Sequence, residues 1–191
     1  MILVARTLSL SLMLLVVSPV GAQARVVSAT PEGAARSILE AIRVGDYAGA
    51  ARGVHPARLH QTRQLFDSLL QHGQATYVAQ RLFQLPDSQA LLALGDTAFT
   101  AGLFRFNFLL SGGDQYMRLY RGVETVATAR QGADTVHVIY RYTVPVDSLP
   151  LQSYNVETML RCGSGWCASM LGDFRGLHRS LVAPMRRIGP P

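Results

Sequence analysis

Near residue 119 the hydrophobic pattern of the chain changes its period, and this limits the folds open to it. Before that point apolar residues recur three and four apart; after it they alternate with polar ones. Side chains share a helix face every 3.6 residues or so and a strand face every second residue, so the halves require different secondary structure. Helices first and strands second is the order of an α+β domain, with helices packed on one face of an antiparallel sheet.

The first half declares its helix ends. In TPEGAARSILEAIRVGD, Thr30 is placed to cap, Pro31 occupies the first turn and Glu32 faces the positive end of the dipole. Ala34, Ala35, Ile38, Leu39 and Ile42 make one apolar face, and Gly45 ends the helix. Asp46 caps a short second helix, YAGAARGV, and His55-Pro56 opens a third in which Leu59, Thr62, Phe66, Leu69 and Leu70 form the stripe. Between residues 75 and 115, AQRLFQL reads as helix up to Pro86, Asp87-Ser88 caps a short helix, and Asp96 begins another. Phe104 to Phe108 alternates like a strand, yet Phe99, Leu103, Phe106 and Leu110 share a helical face. Helix is the reading taken here.

Four strands follow: RLYRGVETVATAR, DTVHVIYRYTV, QSYNVETMLRC and WCASMLGDF. Their short connections make the sheet antiparallel. On the second strand Val136, Val138, Tyr140, Tyr142 and Val144 share the face that should meet the helices, and Thr135, His137, Ile139, Arg141 and Thr143 the other. The two cysteines of the chain, Cys162 and Cys167, flank the last turn. A turn at Ser164-Gly165 sets them directly opposite each other, about 4.5 Å apart at Cα, at the short end of disulfide range. Zinc requires about four ligands and redox dithiols usually read C-x-x-C, so a disulfide is the expected state.

The amino terminus carries Arg6, an apolar run from Leu8 to Val17 and Ala22-Gln23-Ala24 before Arg25. These are the parts of a secretory signal peptide cleaved between Ala24 and Arg25. The run is far shorter than the roughly 20 residues that span a bilayer, so no membrane anchor is expected after cleavage. The chain then divides into a leader (1–24), one domain (25–180) and a tail (181–191). Export, to periplasm or cell exterior, fits an oxidised cysteine pair. All 18 basic Lys or Arg positions are Arg, which excludes chemistry that needs a lysine amine. The arginines are dispersed, with one adjacent pair at Arg186-Arg187, so no nucleic-acid partner is expected.

The step "VGDYAGAARGVHP" between the first helices, the strand "DTVHVIYRYTV" and the closing hairpin "LRCGSGWCASML" together resemble the nuclear transport factor two-like superfamily. This cystatin-like, cone-shaped fold is shared with ketosteroid isomerase-like and polyketide cyclase-like proteins. The resemblance covers roughly residues 30–64 and 119–174. It implies a curved, mostly antiparallel four-stranded sheet around the first helix with a pocket at its open end. It implies no single activity, because function resides in sites rather than folds.

Tyr140, Tyr142 and Tyr154 are the ligand-pocket candidates, each offering a hydroxyl at the end of an apolar body. The same tyrosines also suit a core whose hydroxyls reach the surface. His137 falls on the opposite face, where a solvated or interface role suits it. No catalytic residue, metal site or cofactor is indicated, since no motif or spacing gathers acids, histidines or a nucleotide loop. The expectation is an exported domain that binds a small apolar ligand or a protein partner, a homodimer through the sheet face included. The alternatives are an isomerase or lyase of the ketosteroid-isomerase or cyclase type, and a structural interaction module without a pocket.

Overall fold

A computed structural model describes residues 28–70, 75–110, 123–146, 149–170 and 174–179. The expected leader with its Ala24–Arg25 junction, the start of the first predicted strand and the tail 181–191 lie outside the described residues.

Among the described residues, seven α-helical segments precede and follow one sheet. They are α1 (Pro31–Arg43), α2 (Tyr47–Arg52), α3 (Pro56–Leu69), α4 (Ala75–Val78), α5 (Ser88–Leu92) and α6 (Asp96–Leu110), with α7 at 174–179. The expected caps form: Thr30 accepts from the Gly33 N–H, Asp46 from Gly49 and Asp87 from Ala90. His55 caps α3 through Nδ1, which accepts from the Ala57 N–H. Between α4 and Pro86 the chain forms a π-helical turn, Ala79–Phe83, closed by Gln84 at φ +57°. There the Phe83 ring stacks on Phe99, and a Cβ on Gly102 of α6 would overlap it, so Gly102 makes room for the ring.

The strands β1 (Glu124–Arg130), β2 (Thr135–Val146), β3 (Leu149–Cys162) and β4 (Gly165–Ala168) form one curved antiparallel sheet in sequence order. β2 and β3 run further than expected: Pro145 pairs with Pro150 and Val146 with Leu149. Conversely, the last strand stops at Ala168 instead of running to Phe174, and Phe174 opens α7. Beyond Ala168, Met170 turns the chain with φ +47°. A bulge at Val126 breaks the regular edge of β1. The other edge is covered: Ser28 bridges to Trp166, and Gly53 and His55 exchange backbone hydrogen bonds with Ala168.

The core lies between the helices and one face of the sheet. Val136, Val138 and Met159 from the sheet meet Ile38 of α1, Phe66 of α3, and Phe99 and Leu103 of α6, all nearly or wholly buried. Each such side chain contributes about 1.5–3 kcal/mol over an exposed one. Arg63 ties α3 to this core. Its guanidinium lies 4.5 Å from the Phe99 ring centre and donates to Leu92 O at the end of α5 and to Leu94 O just beyond it.

Candidate functional site

Pairing register assigns every sheet residue to a face. Val136 faces Met159, Val138 faces Glu157, Tyr140 faces Asn155 and Tyr142 faces Ser153. On β1, Thr128 faces Val138 and Thr125 faces Tyr140. These residues share the helix-packed side, because directly opposed residues of an antiparallel pair point the same way. α1 lies across this side against β4, β3 and β2. Under it the face is apolar and closed: Val136, Val138, Met159 and Ala168 are buried. Further along it turns polar, with Tyr140 still 5% exposed, Tyr142 and Ser153 half-buried and Asn155 open. A helix-facing surface that changes from hydrocarbon to hydroxyl and amide within one strand is the main site-like feature of the sheet.

Tyr140 and Tyr142 meet there, ring centres 6.3 Å apart and tilted by 38°. Tyr154 does not join them. It pairs with Arg141, which puts it on the opposite face, 57% exposed. Alternation within a strand is legible in sequence, but the phase of one strand against the next is set by the register. Here even-numbered residues of β2 oppose odd-numbered residues of β3.

The outer face has its own network. Arg141 donates to the Glu124 carboxylate and reaches Gln152. Glu124 holds the Arg141 guanidinium above the ordinary arginine value, and the Tyr154 hydroxyl adds to this. Two rows away His137 lies between Thr158 Oγ1 at 3.1 Å and Gln131 Oε1 at 2.9 Å, so two neutral neighbours orient its ring. Around these polar groups Tyr154, Val156 and, on β1, Val126 are each about half exposed or more.

Sequence reasoning did not single out Glu157. Its phase with Met159 places it on the helix-packed side, half-buried, one row from Tyr140. Its Oε1 accepts the Met170 N–H at 3.4 Å, so this carboxylate anchors the left-handed turn that ends β4. The signal was present in the alternation Met159, Glu157, Asn155, but its meaning depended on the register.

Cys162 and Cys167 are disulfide-bonded, with Cα atoms 5.7 Å apart. The register differs from the direct pairing expected. Cys162 pairs with Gly165 and Cys167 with Leu160, so the bond runs diagonally across one face. The turn is Gly163-Ser164, and Gly163 takes φ +62° at its first position, where a type II′ turn calls for glycine. Among the described residues no three His, Cys, Asp or Glu side chains gather as metal ligands, and no helix is long and apolar enough to cross a membrane. Neither family models, curated proteins nor solved structures give a match to the chain.

Proposed function

We propose that the chain is an exported, disulfide-stapled α+β domain of the nuclear transport factor two-like kind that works by binding, taking a small, mainly apolar ligand at the polar end of the helix-packed sheet face. The observation that carries this reading is the change along β2 from closed hydrocarbon at Val136 and Val138 to the tyrosine pair Tyr140 and Tyr142 beside Ser153 and Asn155. Aromatic walls with a few hydroxyl and amide groups suit an apolar ligand that carries one or two oxygens. Proton-transfer chemistry of the isomerase type would draw on Glu157, the acid on that side nearest the tyrosines in the strand register, one of whose oxygens, Oε1, accepts the Met170 N–H. The diagonal disulfide supports residence in an oxidising compartment.

Native mass spectrometry of the protein taken from its own envelope tests the reading. The expected result is a bound small molecule whose occupancy falls in Tyr142→Ala. Protein without any adduct, together with tyrosine ring resonances indifferent to a panel of apolar ligands, overturns it.

A second reading, a homodimer through the outer sheet face, is favoured by the exposure of Tyr154 and Val156 around the Arg141–Glu124 pair. Light scattering then reports twice the chain mass for the wild type and one chain mass for Val156→Glu. A wild-type monomer at high micromolar concentration rejects it.

A further inference from the structure

We propose that α7 and the sequence after it form a basic docking element for the surface of an anionic lipid bilayer. The net charge of the chain is concentrated there. Of the formal charge of +6, residues 174–191 contribute +4, with four arginines and no Asp or Glu. The 173 residues before them hold 14 arginines against 12 acids, which nearly cancel.

α7 presents half of that charge in a fixed place. Phe174 is buried with its ring centre 5.3 Å from that of Phe104 on α6, Leu177 is buried, and the His178 ring meets Phe66 of α3 edge-on at 5.4 Å. These three residues hold one face of the helix on the core. Arg175 and Arg179, four apart and so neighbours on the helix surface, are both exposed. Among the described residues neither meets a carboxylate, whereas Arg43, Arg52, Arg63 and Arg141 each pair with an Asp or Glu. Like charges at this spacing destabilise a helix, and an anionic partner relieves the repulsion.

The composition beyond α7 favours a bilayer over a soluble polyanion. Leu181, Val182, Met185 and Ile188 stand among Arg179, Arg186 and Arg187 in sequence, and no acid interrupts them. Both kinds of residue gain at the headgroup boundary, where guanidinium groups reach phosphate and apolar side chains leave water. Charge supplies the attraction: each arginine at an anionic surface raises partition about fivefold, so four give on the order of 10³-fold. The attraction falls off within a Debye length, about 10 Å at 0.1 M salt, so the association is reversible rather than an anchor.

Co-sedimentation of protein purified from its own envelope with sucrose-loaded vesicles tests this. The expected result is binding to phosphatidylcholine vesicles that contain about 30% phosphatidylglycerol, and none to phosphatidylcholine alone. Raising salt from about 0.1 M to about 1 M, which shortens the Debye length to about 3 Å, releases the protein. Arg175→Gln/Arg179→Gln lowers partition about 30-fold with Tm unchanged, and Arg186→Gln/Arg187→Gln lowers it by a similar factor. Arg36→Gln/Arg130→Gln removes two exposed charges from α1 and β1 instead. This control has the same net charge and loses about twofold at most, because distant charges are screened. Equal binding to neutral vesicles, or a loss in Arg175→Gln/Arg179→Gln no larger than in the control, overturns the inference. Retention on heparin without binding to anionic vesicles assigns the charge to a soluble polyanion and likewise overturns it.

Discussion

Removing the Cys162–Cys167 bond should lower stability by about 2 kcal/mol, a figure that follows from the closed loop. The two residues are separated by five positions. In the chain-entropy description a loop of this size takes about 7 cal/mol/K from the unfolded state, or about 2 kcal/mol at 25 °C. For a chain of this length each kcal/mol moves Tm by about 2–4 °C, so the loss amounts to about 4–8 °C. Two variants of the experiment separate the cross-link from packing. Reduced wild-type protein keeps both sulfurs in place and reports the cross-link alone. Cys162→Ala/Cys167→Ala also removes two well-buried sulfurs, 9% and 0% exposed, and should unfold at a still lower temperature. Thermal unfolding by circular dichroism, with and without reductant, measures both. An unchanged Tm after complete reduction, verified by titration of two thiols, would refute the entropic argument. Two thiols titrating before reduction would refute the bond itself.

Other parts of the core give equally direct tests. Thr62 and Thr100 are fully buried, and neither Oγ1 has a hydrogen-bond partner among the described residues. Thr62→Val should therefore raise stability by about 1 kcal/mol in a denaturant melt, and a loss would mean that the hydroxyl is satisfied. Gly102→Ala sets about 1 kcal/mol of helix propensity against about 1–3 kcal/mol of overlap with Phe83, a ring already stacked on Phe99. The net expectation is a lower Tm, and a rise would show that the ring moves freely. Arg63→Met keeps much of the stem but loses two charge-assisted bonds, to the Leu92 and Leu94 carbonyls, and the contact with Phe99, at about 2–3 kcal/mol by the same melt; unchanged stability refutes that role. On α1, the Arg43 side chain hydrogen-bonds Glu40 and holds its carboxyl below the ordinary value. The stabilisation belongs to pH above the unfolded carboxyl pKa and disappears as pH falls through the lowered folded one. NMR titration should show Glu40 returning to the ordinary range in Arg43→Gln; an identical titration in both proteins would contradict the pairing.

How much of this was legible in sequence follows from the range of the interactions involved. Local signals decided the helices. Thr30 with Pro31, Asp46, His55 with Pro56, and Asp87 each mark a start observed in the structure, because a cap is settled within three residues. The Phe104–Phe108 alternation resolved to helix because Phe99 and Leu103 bury completely on α6, although Leu110 of the same expected face is 61% exposed. The π-turn at Ala79–Phe83 had no comparable local mark, since its setting is a ring contact with residues 16 and 19 positions beyond Phe83. The strands were legible one at a time, and the buried column Val136, Val138, Tyr140 was read from alternation alone. What sequence cannot supply is the offset between strands, and three outcomes depend on it. Tyr154 falls beside Arg141, the disulfide runs diagonally, and Glu157 stands on the side of Tyr140. The sheet-face site is a product of the same offset, so its tyrosines were half anticipated: the column on β2 was visible in the alternation, and the β3 residues beside it were not.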